Sequence, residues 1–312
     1  MSDPRHPLHP QVAALFEFLK AGRVERVLKP GPMREAAAGL GVLLSQTAPP
    51  VAAEDRLEIP GPAGVIPARV FYPGAPSDGP YPVIVYFHGG GYVLMSADTH
   101  ERWTKQLCNA TGSVIVSVDY RLAPEHPFPA PIDDCLAAYR WVRAHAERVA
   151  GDPARVAVSG DSAGGNASVA VALRLRAAGE SLPAALLLYF PWVDMSLTSE
   201  SFRRLAPDDL VIDEPAMRLF RDAYVGEAPI DDPLASPLRA DLRGLPETLV
   251  VVGEIDPLCD EGIALARSLE GRGVKVELRS YPGMPHDFVL FPGIDATDRV
   301  LEETTAFVRR VI

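Results

Sequence analysis

The sequence Arg155-Val-Ala-Val-Ser-Gly-Asp-Ser-Ala-Gly164 decides the fold, because it joins an apolar strand to a helix through a very short turn. Residues 155–159 predict a buried strand, and the Ala- and Val-rich residues 163–178 predict a helix. Residues 160–164 match G-x-S-x-G, whose small residues permit a tight strand–turn–helix junction. An isolated match would also fit a plain helix cap, so the flanking strand and helix carry the prediction. We therefore predict that Ser162 is a nucleophile at the positive end of a helix dipole.

Strands alternate with helices on both sides of this turn. Such alternation is typical of an α/β protein with a mostly parallel sheet covered by helices on both faces. The predicted strands lie at 57–59, 68–72, 83–87, 114–118, 156–159, 185–188, 249–252 and 274–278, the first two as an antiparallel pair. The predicted helices lie at 101–110, 133–145, 163–178, 262–269 and 295–310.

Two segments depart from this alternation. The first fifty residues are predicted to be helical, with a helix near 33–44. About sixty residues separate the strands that end at Leu188 and begin at Leu249, more than one crossover needs, and they contain a predicted helix at 214–224. We interpret them as an excursion from one sheet, so that residues 1–312 form a single domain. Together the two segments are candidates for a lid.

Three consecutive glycines follow the predicted strand 83–87, in the sequence His88-Gly-Gly-Gly-Tyr92. Glycines at this point let backbone N–H groups approach a ligand closely, which is what a developing oxyanion requires. The N–H of Ala163, next to the nucleophile, would be a further donor. A phosphate-binding loop is the alternative, but no G-K-[ST] sequence follows. We expect the His88 side chain to pack below the loop rather than act as the base.

The base follows from chain order. In a G-x-S-x-G hydrolase the order is Ser, acid, His, and of seven histidines only His286 follows Ser162. The stretch after the strand at 249–252 offers three carboxylates. Asp256 precedes a proline and so favours an extended loop, whereas Asp260 is predicted to cap the next helix and Glu254 to be structural. We predict a Ser162–His286–Asp256 triad.

Taken together, these motifs resemble those of the hormone-sensitive-lipase-like esterases, the bacterial family IV enzymes. They occur in family order and span nearly the whole chain. The matching segments are HGGGY at 88–92, DYRLAPE at 119–125, GDSAGG at 160–165, DPLCD at 256–260, and residues 283–288 around His286.

The resemblance implies an α/β-hydrolase fold with an eight-stranded, mostly parallel sheet that has one antiparallel strand. It also implies a helical cap built from about 1–50 and about 190–245. By the family pattern, the oxyanion donors are Gly90, Gly91 and Ala163. The activity implied is carboxylesterase action on short- to medium-chain acyl esters.

The DYRLAPE segment is the most specific match, and the resemblance implies that Arg121 and Glu125 brace the oxyanion loop. It further implies a possible homodimer formed through the last strand. Alternatives remain open at this point: an amidase or deacetylase with the same triad, a true lipase, or a small-molecule receptor.

Composition excludes other classes of function. A net charge of −11 disfavours binding to nucleic acid. The three cysteines show no metal or redox spacing and are interpreted as buried apolar residues, so we expect neither a metal nor an organic cofactor. No signal peptide is recognised, and no apolar run approaches the about 18 residues of a membrane span. We expect a cytoplasmic enzyme with a small-molecule ester substrate.

Overall fold

The chain forms an eight-stranded, mostly parallel sheet. A computed structural model describes residues 8–21, 27–208 and 211–312. The sheet order is β1-β2-β4-β3-β5-β6-β7-β8. β2 runs antiparallel to both neighbours, and the pairs from β4 to β8 are parallel, as the resemblance implied. The strands are β1 Ala53–Gly61, β2 Gly64–Tyr72, β3 Tyr81–Phe87, β4 Val114–Val118, β5 Gly151–Asp161, β6 Leu186–Tyr189, β7 Thr248–Gly253 and β8 Val276–Tyr281.

The helices of the described residues agree with the predicted positions to within a few residues. The exception is the six-residue helix α6, which the sequence pattern did not predict because it is too short to show a helical period. The helices are α1 Pro10–Ala21, α2 Pro30–Ser45, α3 Glu101–Thr111, α4 Ala130–Ala144, α5 Ala163–Ala177, α6 Glu200–Leu205, α7 Glu214–Val225, α8 Cys259–Glu270 and α9 Ala296–Val311.

Alternate side chains of β3 enter two different cores, one on each face of the sheet. Val83, Val85 and Phe87 belong to a core that includes buried residues of α4, α5 and α8. Ile84 and Tyr86 belong to a second core, which includes residues of α3 and α9. This alternation is the period of two expected for a strand buried on both faces. It explains why the run 83–87 is apolar throughout.

The parallel strands end at one edge of the sheet, and the loops that follow β3, β5, β7 and β8 all leave from that edge. Ligands of open α/β sheets bind beyond the carboxyl ends of the strands. The predicted cap segments supply α1 and α2 before the sheet and α6 and α7 between β6 and β7. Residues 1–7, 22–26 and 209–210 of those segments lie outside the described residues.

Two further predictions concern cysteines and membranes. Cys108, Cys135 and Cys259 are free and buried, as expected for small apolar residues. Within the described residues, no helix is long and apolar enough to cross a bilayer.

Candidate active site

The turn after β5 has the strained geometry predicted for a nucleophile. Ser162 has φ +51° and ψ −117°, a backbone conformation that L residues rarely adopt, and it immediately precedes α5. Its N–H donates a hydrogen bond to the carbonyl of Tyr189 at 2.9 Å, and the N–H of Trp192 donates to its carbonyl at 3.0 Å. A Cβ atom on Gly164 would collide with the backbone of Phe87, so only glycine fits there. Neighbouring backbone therefore holds Ser162 in place.

The glycine loop after β3 bends through three consecutive residues with positive φ, of which two are glycines and the third is Tyr92. Gly90 has φ +101° and Gly91 has φ +63°, conformations that favour glycine. The N–H of Gly89 donates to Oδ1 of Asp161 at 3.0 Å, and the Tyr86 hydroxyl donates to the same oxygen at 2.5 Å. The buried carboxylate beside the nucleophile thus fixes the start of the loop.

The His88 side chain is buried and packs against other residues, as predicted. Its Nδ1 is 2.7 Å from the Gly89 carbonyl oxygen, and its ring stacks on Tyr120 at 4.3 Å between centroids. Burial lowers the pKa of His88 to about 3, and the neighbouring His100 acts in the same direction. His88 is therefore a neutral packing residue at any pH at which the enzyme would work.

His286 and Asp256 form a buried pair. Nδ1 of His286 lies 2.8 Å from Oδ2 of Asp256, and both side chains are 1% exposed. Oδ1 of Asp256 accepts a hydrogen bond from the N–H of Leu258 at 2.7 Å, which fixes the carboxylate plane. Burial opposes protonation of His286, but the carboxylates of Asp256 and Asp287 outweigh it and hold the pKa of His286 well above its ordinary value. The pH range of roughly 6 to 7 expected for an ordinary imidazole therefore underestimates where this base loses its proton.

The other two carboxylates of this loop have different contacts. Oδ2 of Asp260 accepts the backbone N–H of Ser201 at 2.7 Å, so Asp260 joins the first turn of α8 to α6. Leu258, not Asp260, is the N-cap of α8, so the predicted cap was wrong. Oε1 of Glu254 accepts the hydroxyl of Ser280 at 3.1 Å.

A second carboxyl group lies on the other side of the imidazole, and the sequence analysis did not predict it. Oδ2 of Asp287 is 3.3 Å from Nε2 of His286. Asp287 is 5% exposed and has φ +50°. Burial raises the pKa of Asp287 to about 6, against the opposing influence of His286. The only sequence signal was its position directly after the predicted base.

One cavity of about 630 Å³ connects these groups. Ser162, His286, Gly90 and Gly91 line its floor, whereas Asp256 lies behind the imidazole. Its walls are mostly apolar and come largely from the segments that precede the sheet and follow β6. The apolar lining includes Met33, Ala36, Ala37, Leu40 and Leu44 of α2, Met217 and Phe220 of α7, and Val211, Ile212, Leu290 and Phe291. No hydrogen bond of Nε2 of His286 is formed within the described residues.

The DYRLAPE segment holds the site differently from the expectation. Arg121 pairs with Asp134, with Nε to Oδ2 at 2.7 Å, and its other side-chain hydrogen bond among the described residues goes to the carbonyl of Ala130. Glu125 pairs with Arg34 of α2, and Nε of Arg34 also donates to the carbonyl of Val93 at 2.7 Å. Glu125 therefore acts on the loop through a helix of the N-terminal segment. The sequence motifs did not indicate that Arg34 joins Glu125 to the carbonyl of Val93.

Among the described residues, no three His, Cys, Asp or Glu side chains are grouped so that they could hold a metal ion.

Comparison with known proteins agrees with this arrangement. A family model described as alpha/beta hydrolase fold matches residues 84–290, which include the glycine loop, the nucleophile turn and the His286 loop. The chain belongs to the α/β-hydrolase fold family. Within it, this hydrolase belongs to the hormone-sensitive-lipase-like esterases, as its motifs indicated.

Its relatives include named esterases. The carboxylesterase NlhH of Mycobacterium tuberculosis is 42% identical over 231 residues, 72% of each chain. An ethyl acetate hydrolase of Pseudomonas putida is 32% identical over 296 residues, 90% of this hydrolase and 92% of the relative. A hyperthermophilic esterase from the archaeon Pyrobaculum calidifontis superposes with a TM-score of 0.93 at 36% identity, covering 97% of this hydrolase and 98% of that chain.

Proposed function

We propose that this hydrolase is a carboxylesterase that cleaves short- to medium-chain acyl esters through an acyl-enzyme intermediate. One observation carries the proposal: Ser162 on its strained turn and His286, which is paired with the buried Asp256, line the same mostly apolar cavity. The relatives named as a carboxylesterase and an ethyl acetate hydrolase support the same activity.

In the proposed acylation step, the Ser162 hydroxyl attacks the ester carbonyl while Nε2 of His286 accepts its proton. Catalytic hydrogen bonds of this kind often become short only when substrate is bound. Asp256 keeps the proton on Nδ1 and stabilises the imidazolium without becoming protonated itself. The bonds from Leu258 and His286 to its two oxygens support that role.

The tetrahedral intermediate carries its negative charge beside the glycine loop. We assign its stabilisation to the backbone N–H groups of Gly90, Gly91 and Ala163, with Asp161 holding the loop in place through Gly89. The intermediate collapses when the alcohol leaves with the proton from His286. Water then enters, transfers a proton to His286, and releases the acid by the reverse sequence of steps.

The surrounding segments complete the proposal. We propose that about 1–50 and about 190–245 form a cap whose apolar walls bind the acyl chain, since α2 and α7 both line the cavity. A cavity of about 630 Å³ has room for a short or medium chain. We further propose a cytoplasmic location, since the three cysteines are few and sparse. On the family resemblance alone we propose a homodimer through the edge strand β8. Size-exclusion chromatography with light scattering tests the dimer.

The direct test uses p-nitrophenyl esters of graded acyl length. Ser162→Ala should lower kcat by roughly 10⁴-fold or more, because the triad nucleophile is lost. Activity that peaks at short or medium chains and disappears in the variant would support the proposal. Activity that survives in Ser162→Ala would exclude Ser162 as nucleophile. A wild-type enzyme that does not cleave these esters but cleaves the matching acyl anilides would instead be an amidase.

A further inference from the structure

Asp287 has no part in the proposed reaction, although it lies within the reacting group of side chains. It lines the cavity and is 5% exposed. Its Oδ2 is 3.3 Å from Nε2 of His286, while its Oδ1 has no hydrogen-bond partner among the described residues. Buried carboxyl oxygens are normally hydrogen-bonded, so an unpartnered one requires an explanation.

The position of Asp287 relates it to one part of the substrate. Nε2 of His286 is the atom that returns a proton to the departing alcohol, so the alcohol oxygen must come within hydrogen-bond reach of it. Asp256 occupies the opposite edge of the ring, at Nδ1. A carboxyl oxygen 3.3 Å from Nε2 therefore lies beside the alcohol portion of a bound ester, not beside the acyl chain.

The surroundings of Asp287 define the group that it would bind. The apolar walls of α2 and α7 offer no donor to its free oxygen. The nearby charged or titratable groups include His286, Asp161, His100 and Tyr86. His100 and Tyr86 are both already bonded to Asp161. Oδ1 of Asp287 is buried without a hydrogen-bond partner among the described residues. A carboxyl oxygen in this position favours a hydrogen-bond donor, and a cationic donor most strongly.

We propose that Asp287 is a specificity-determining residue that selects esters whose alcohol portion carries a hydrogen-bond donor, above all a protonated amine, near the ester oxygen. The inference rests on the proposed esterase activity. Binding such a group would satisfy Oδ1 and draw the carboxylate away from Nε2, which leaves that atom to Ser162.

Two esters of nearly identical shape test the proposal. In 2-(dimethylamino)ethyl butyrate a protonated nitrogen occupies the place of the branching carbon of 3-methylbutyl butyrate. The quantity measured is the ratio of kcat/KM for the amino ester to kcat/KM for the carbon ester, from butyrate release at neutral pH. Comparing this ratio between wild type and Asp287→Asn cancels the different intrinsic reactivities of the two esters. Asparagine tolerates the left-handed backbone at this position.

We expect the ratio to fall roughly ten-fold or more in Asp287→Asn, because one charge-assisted hydrogen bond to the amino ester is lost. Asp287→Gly, also compatible with a positive φ, should give the same fall if the asparagine variant does not fold. Asp152→Asn removes one negative charge at the opposite end of β5 and should leave the ratio unchanged, which separates local binding from net charge.

Equal ratios in wild type and both Asp287 variants would overturn the inference. So would an equal fall in Asp152→Asn. Hydrolysis of p-nitrophenyl butyrate, abolished by Ser162→Ala, is measured in the same preparations. If that activity is absent, the proposed function itself has failed, which distinguishes the two conclusions.

Discussion

Replacing Asp256 by asparagine should remove most of the activity while leaving the fold intact, because the change alters which nitrogen of His286 carries the proton. In the structure, Oδ1 of Asp256 accepts the N–H of Leu258 at 2.7 Å, and Oδ2 faces Nδ1 of His286 at 2.8 Å. Asparagine must keep its oxygen toward Leu258, so its NH₂ group would face Nδ1. Nδ1 must then be an acceptor, and the proton moves to Nε2.

A proton on Nε2 prevents His286 from accepting the proton of Ser162. We expect kcat to fall by roughly 10⁴-fold, as is typical when a triad acid presents the wrong tautomer. KM should change little, because Asp256 is behind the imidazole and does not line the cavity. The assay is p-nitrophenyl butyrate hydrolysis at saturating substrate, with circular dichroism and thermal melting to confirm folding.

Asp260→Asn is the matched control, since it neutralises a carboxylate four residues further along the chain, in the first turn of α8, that bonds to Ser201 instead of to His286. It should retain kcat within a few-fold of wild type. If kcat of Asp256→Asn stayed within ten-fold of wild type, or if both variants lost activity equally, Asp256 would not control the tautomer of His286.

Three further predictions address the base, the oxyanion loop and the cap. Asp287→Asn removes one of the two carboxylates that raise the pKa of His286, so the pH at which kcat/KM rises should move to a lower value. A pH profile of kcat/KM, measured between about pH 5 and 9, that is the same as that of wild type would contradict this. Gly91→Ala places a Cβ atom 2.5 Å from the ring of Phe220, and the backbone conformation at φ +63° adds a strain of about 1–2 kcal/mol. The oxyanion loop should therefore shift, and kcat should fall roughly 10²-fold. Adding Phe220→Ala should recover part of the lost kcat. Arg34→Ala removes the hydrogen bonds that hold α2, so it should lower the free energy of unfolding by about 1–3 kcal/mol and raise KM. Denaturant titration and steady-state kinetics measure the two effects. Arg34→Lys should restore each of them only in part.

The fold could be predicted because its information is local in sequence. The apolar run 83–87 and the junction at Ser162 specify strand, turn and helix from neighbouring residues alone. The family resemblance and the α/β-hydrolase fold were confirmed. His286 was identified by elimination, and the structure places it against Asp256, while the catalytic roles of both stay predictions until variants are measured.

The features of the site that were not predicted from the sequence depend on the directions of side chains after distant segments have packed together. The apolar residues of α2 have a helical pattern that fits any buried helix, and nothing local indicates that they face a cavity. The bond from Arg34 to Glu125 joins residues 91 positions apart, without a motif that links them. Asp287 was not predicted as a site residue, because its burial and its position beside Nε2 of His286 depend on the folded structure and cannot be inferred from its residue type.

The loops of the site come from four strands, and this has a consequence for how the enzyme gains activity during folding. Gly89 and Asp161 are 72 residues apart in sequence, and Asp256 and His286 are 30 apart. Contacts between distant residues form only after the intervening chain has been ordered. A chain folded only as far as β5 would have Ser162 in place but no base beside it. Ester hydrolysis therefore appears during folding only when the sheet has assembled through to β8, and not when the chain first collapses.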